Sequence, residues 1–128
     1  MSTTAPHRSL TTALALDAVL VIVFAAIGRS SHEEGLTVLG VAETAGPFLI
    51  GLALGWTIAR AASLDPLGRT GGPVVWVATV AGGMVVRQLV GEGTAFSFIV
   101  VASIVLGVFL LGSRFAAGLL ARRAAARG

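Results

Sequence analysis

The chain has 128 residues, 55% hydrophobic and 12% charged, with a net charge of +3. Soluble domains carry about a quarter charged residues, and a small one has much surface to cover with polar groups, so an ordinary soluble globule is excluded and lipid is the natural solvent. The lack of cysteine excludes disulfides and thiolate metal sites, and the basic residues, all Arg, gather at segment ends and in the tail, as expected for phospholipid headgroups rather than nucleic acid.

Four apolar segments follow one another, at about 10–28, 39–62, 73–90 and 94–112. Each is close to the ~20 residues that cross ~30 Å of hydrocarbon at ~1.5 Å per residue. In lipid the backbone must satisfy its own hydrogen bonds, so each segment is expected to be helical. The first follows Arg8 and resembles the start of a signal peptide. It carries Asp17, however, and reaches Gly28-Arg29-Ser30 with no small-x-small cleavage pattern, so it is read as a retained helix.

The second segment contains Gly46-Pro47. Proline removes a backbone donor and crowds the preceding turn, so a kink is expected there. Gly51, Gly55 and Ala59 form a small-residue stripe along the same segment, and Ala78 with Gly82 does so on the third. Such stripes let helix backbones approach closely, within a chain or between copies. Pro73 opens the third segment, where its missing N–H is harmless. Trp56 and Trp76 lie toward the cytoplasmic half, where either one is a candidate interface anchor. The Ala- and Arg-rich stretch from Arg114 onward is read as a continuation of helix four, an amphipathic stub on the membrane surface.

The connections are short, which forces neighbouring helices antiparallel. The expected fold is an all-α membrane protein, a four-transmembrane-helix antiparallel bundle over residues 1–120 with a cytoplasmic Arg/Ala-rich tail at 121–128. With the N-terminus inside, Arg8, Arg60, Arg69, Arg114, Arg122, Arg123 and Arg127 are cytoplasmic, and Arg29 and Arg87 are not. Seven against two places both termini in the cytoplasm, and the chain is expected as a multi-pass protein of the cytoplasmic (inner) membrane. Arg29-x4-Glu34-Gly35 and Arg87-x4-Glu92-Gly93 echo each other 58 positions apart, which raises a repeated hairpin as one explanation and chance as the other.

Asp17 is the sharpest chemical feature. It lies seven residues into the first segment, or ~10 Å below its start. A carboxylate at that depth costs about 2.5–3.5 kcal/mol to insert, and intramembrane acids are functional candidates by default. It is a candidate ion or proton site. The structural alternative has it paired with an Arg or bonded to Thr57, Thr79 or Trp76. Arg87 and Glu43 lie at similar depths from the opposite face, so an ion pair is expected there, joined by Arg29 into a polar cluster. Such a pair fixes register more often than it does chemistry. His32 sits beside Glu33 and Glu34 with no ligand-spaced partner, so no metal site is assigned. No phosphate-binding glycine loop, zinc motif or serine elbow is found, so neither an enzyme activity nor a cofactor is expected.

The chain resembles a family of small bacterial membrane proteins catalogued as domain of unknown function 3054. The resemblance runs from about Leu14 to Leu120. It is carried by Leu16-Asp17-Ala18, Gly28-Arg29-x-x-His32, Thr44-Ala45-Gly46-Pro47-Phe48, Gly55-Trp56, and Arg87 with Gly93-Thr94-Ala95. It implies fold and location but no mechanism. Asp17 is also similar in place to the helix-one acid of small multidrug-resistance exporters, although those use Glu. Gly82-Gly83-x-x-x-Arg87 and Gly93-Thr94 resemble a stretch of dimeric fluoride channels, but this chain has none of the Asn that those channels carry. The leading functional expectation is a small ion- or proton-coupled transporter or channel that assembles as a homo-oligomer. The alternative is a non-transporting scaffold or accessory subunit that binds a partner through its helix faces. The lipid bilayer, with anionic headgroups at the Arg-rich tail, is the expected environment.

Overall fold

A computed structural model describes residues 9–30 and 36–127. It contains four α-helices, α1 Leu10–Ser30, α2 Val38–Ala61, α3 Gly71–Leu89 and α4 Phe96–Arg127. Each is long and apolar enough to cross a membrane. Large apolar side chains stay exposed on all of them, among them Val19, Ile22, Ile50, Val77, Val85 and Ile104. A soluble chain would not leave such faces to water, whereas lipid wets them freely.

Local chemistry sets the ends. The Ser9 hydroxyl accepts from the Thr12 amide at 3.0 Å at the start of α1, and Thr37 caps α2 by accepting from the Gly40 amide at 2.9 Å; both satisfy amides that the helix leaves open. At the other end of α2 the Leu64 amide reaches the Ala59 carbonyl (2.7 Å) and the Ser63 amide the Arg60 carbonyl (3.0 Å), with Ser63 at φ 61°. This is the Schellman closure, with serine where glycine is usual. α3 closes the same way around Gly91, at φ 81°, where a glycine carries no Cβ penalty. α2 continues as helix through Pro47, which is buried; with no N–H on Pro47, the Glu43 carbonyl loses its intrahelical donor.

The helices form a ring in which each packs on its chain neighbours and α1 meets α4. The tightest seam is α2 against α3. A Cβ added at Gly51 would stand 2.6 Å from the Thr79 carbonyl oxygen and 2.9 Å from the Gly83 nitrogen, and one at Gly55 would stand 3.0 Å from Ala78 Cβ. Gly82 faces Gly51 across the same seam. The stripes of small residues therefore close an interface inside the chain, the first of the two uses open to them. Gly83 also makes room for the Phe48 ring.

α4 continues past the apolar segment that ends near 112, as the reading of the tail expects, and runs unbroken to Arg127. Its 32 residues span ~48 Å at ~1.5 Å per residue, well beyond ~30 Å of hydrocarbon. Ala and Leu between the arginines are strong helix formers, so nothing in 113–127 stops the helix. Trp56 and Trp76 are not free interface anchors, since both indoles turn inward and donate to partners within the bundle.

Candidate functional site

The buried polar centre of the molecule is built on Asp17. Its position on α1, one turn from Ala13 and one from Val21, places it on the inward stripe, and it is 1% exposed. Arg114 of α4 meets it with two parallel bonds, Nη1 to Oδ1 at 2.9 Å and Nη2 to Oδ2 at 2.7 Å. The Trp56 indole of α2 donates to Oδ2 at 2.9 Å. Arg114 also donates through Nε to the Pro66 carbonyl (2.9 Å) and through Nη1 to the Leu110 carbonyl (3.0 Å).

Each element positions one part of this centre. The α2–α3 connection folds over it through a turn in which Asp65 Oδ1 accepts from the Leu67 amide (3.0 Å) and the Asp65 carbonyl accepts from the Gly68 amide (2.8 Å). That turn buries Pro66 and aims its carbonyl inward. α3 contributes an absence of side chain, because a Cβ on Gly72 would lie 3.1 Å from Arg114 Cδ. All four helices and one connection thus converge on a single charge pair.

The arrangement is electrically neutral and well satisfied. The guanidinium offers five donors, and four bonds from it are made to protein acceptors. Fork-to-fork pairing of this kind is the strongest geometry open to Arg and carboxylate. The side chains are 6% and 2% exposed for Arg114 and Asp17, so water screens the pair little.

Thr57, Thr79 and Trp76, the other partners considered for Asp17, bond elsewhere. The two threonine hydroxyls donate back to Ala53 and Val75 carbonyls one turn earlier, at 2.8 and 2.7 Å. Trp76 donates to the Ser103 carbonyl at 3.0 Å, tying α3 to α4. Arg114 and Pro66 were not singled out from sequence as site residues. The signal for Arg114 was present, because Phe115 to Leu120 is apolar again and implies that the helix continues past an arginine.

The expected outer cluster of Arg29, Glu43 and Arg87 is arranged differently. Arg87 turns to its own loop, pairing with Glu92 at 3.1 Å and donating to the Gly93 (3.0 Å) and Glu92 (3.2 Å) carbonyls. Its guanidinium also lies 4.4 Å from the Phe98 ring centre, a cation–π contact. Glu43 is exposed on α2 and forms no ion pair with Arg87. The local loop wins because the left-handed turn at Gly91 brings Glu92 back over α3, its amide reaching the Arg87 carbonyl at 2.9 Å. Arg29 lies against Gly40, where any side chain would collide with its guanidinium. Beneath Arg87, Phe24, Phe48 and Phe98 form a trio with ring centres 5.2 to 6.3 Å apart.

His32, Glu33, Glu34 and Gly35 lie outside the described residues, and with them half of the sequence echo. Among the described residues no three His, Asp or Glu side chains converge to hold a metal ion.

No curated protein and no solved structure matches the chain. A family model does, over residues 14–117, and that span holds Asp17, Trp56, Pro66 and Arg114 together. The chain belongs to this family, described as Protein of unknown function (DUF3054).

Proposed function

We propose that the protein is a multi-pass component of the cytoplasmic membrane, with both ends in the cytoplasm, that serves as a non-enzymatic scaffold or accessory subunit. One observation carries the reading. Asp17, the only acid deep within a described helix interior, is neutralised by a two-pronged Arg114 and a third bond from Trp56. A carboxylate held this way clamps helices together and has no spare affinity for a transported cation.

The orientation is supported by the arginines. Arg60, Arg69, Arg114, Arg122, Arg123 and Arg127 fall toward the end where α2 and α4 finish, and Arg29 and Arg87 toward the other. The positive-inside rule makes the first end cytoplasmic. A partner-binding face fits α4 best, because only 17% of its apolar window is buried, against 39% for α2. A homo-oligomer would have to use such a face, since the Gly51–Gly55 stripe is occupied by α3.

One observation favours the transporter reading as a second. Arg114 also lines a groove that opens at the arginine-rich end, which would give protons a path toward Asp17. Ion flux from liposomes separates the two readings. Purified protein would be assayed with a proton-sensitive dye and a panel of cations and anions, fluoride included, beside Asp17→Asn. The scaffold reading expects no flux above empty liposomes and one stoichiometric partner on mild solubilisation. Flux that collapses in a folded Asp17→Asn protein would replace it with the transporter.

A further inference from the structure

A groove of about 380 Å³ opens between the first turn of α3, with the connection before it, and the stretch of α4 from Leu111 to Arg122. Its lining divides by chemistry. Leu67, Leu111, Phe115 and Leu119 make an apolar wall, Arg69 and Arg122 supply guanidiniums, and no acidic side chain lines it. Arg114 forms part of the floor, but its charge is already met by Asp17 at 2.7 Å. Arg69 and Arg122 are exposed and make no ion pair among the described residues. The start of α3, the positive end of a helix dipole, adds to the same field.

Depth decides what such a groove meets. Arg114 stands 18 residues beyond Phe96, or ~27 Å along the axis, close to the full ~30 Å of hydrocarbon. Arg122 stands eight residues further, another ~12 Å, within the headgroup layer. The apolar wall and the two free guanidiniums therefore straddle the boundary at which a lipid changes from chain to phosphate.

We propose that this groove is a binding site for an anionic phospholipid. Arg69 and Arg122 hold its phosphate, and an acyl chain lies along Leu111, Phe115 and Leu119. The site differs from diffuse attraction to a basic tail, because Arg123 and Arg127 carry the same charge on the same helix without lining the groove. It does not depend on whether the protein scaffolds or transports.

Native mass spectrometry of the detergent-purified protein tests this with phosphatidylglycerol, phosphatidylcholine and inorganic phosphate as probes. Phosphatidylglycerol should be retained in preference to phosphatidylcholine. The double variant Arg69→Gln/Arg122→Gln should weaken retention about thirtyfold, from a factor of about five per guanidinium. The charge-matched Arg123→Gln/Arg127→Gln should bind as wild type does. Equal losses in the two double variants would overturn the site in favour of diffuse tail charge. Equal retention of the two lipids would overturn it as well, and displacement by millimolar inorganic phosphate would replace the lipid with a free anion. Thermal unfolding of each variant in the same detergent checks the fold, which neither pair should alter, because Asp17 and Arg114 are untouched.

Discussion

Asp17 and Arg114, 97 positions apart, face each other in a two-pronged pair with both bonds under 3 Å. The pair joins α1 to α4 and closes the helix ring at the arginine-rich end. It is held in turn by Trp56 of α2 and by the Pro66 carbonyl between α2 and α3. At the opposite end Phe24 and Phe98 join the same two helices through an apolar contact, with ring centres 6.3 Å apart. One end of the ring is closed by charge and the other by aromatic packing.

The two tryptophans should respond unequally to loss of their N–H. Trp56→Phe keeps an aromatic ring, though a smaller one, and removes the bond to a buried carboxylate. Bonds to charged groups contribute about 1.5–3 kcal/mol. Trp76→Phe removes a bond to a neutral carbonyl, which contributes about 0.5–1.5 kcal/mol. Denaturant titration in mixed micelles should rank Trp56→Phe as the more damaging. The reverse order would mean that the indole adds little to the charge centre.

The glycine seam should be intolerant and the outer glycines permissive. Gly51→Ala drives a methyl into the Thr79 carbonyl and the Gly83 nitrogen, which are backbone and cannot swing aside. Overpacking of this kind costs about 1–3 kcal/mol. Gly112 and Gly118 on α4 have nothing within 4 Å of an added Cβ, so Ala there should be neutral or stabilise by up to ~1 kcal/mol through helix propensity. Unfolding midpoints of the three variants check this.

The Arg87–Glu92 pair should matter little by itself. Its side chains are 15% and 32% exposed, and exposed pairs contribute about 0.2–1 kcal/mol. Glu92→Gln should therefore shift stability by less than ~1 kcal/mol. Arg87→Ala should cost more, since it also removes the bonds to Gly93 and Glu92 carbonyls and the stack on Phe98. Urea titration of both variants gives the comparison.

The helices were legible because lipid leaves the backbone one solution, and apolar length alone marks the spans. The approach of α2 to α3 at Gly51 and Gly55 was legible as spacing, but not that both faces belong to one chain. The partner of Asp17 was hidden by distance in sequence. Arg114 reads in sequence only as one more cytoplasmic charge, because nothing local pairs it with a residue 97 positions away. Depth matching put Glu43 opposite Arg87, yet a turn of a few residues around Gly91 delivers Glu92 at far smaller entropic cost. Trp56 looked like an interface anchor because the same ring-and-N–H chemistry serves a membrane surface and a buried carboxylate equally well.

The charge clamp is tested most directly by a double-mutant cycle on Asp17→Asn and Arg114→Gln, read as unfolding free energy in one detergent mixture. Each single variant strands one buried charge, so each should lose about 3–5 kcal/mol. The double variant strands none and should lose much less than the sum, leaving a coupling energy of at least ~1 kcal/mol. Costs that simply add, with each single change below ~1 kcal/mol, would show that the two side chains do not hold the bundle together.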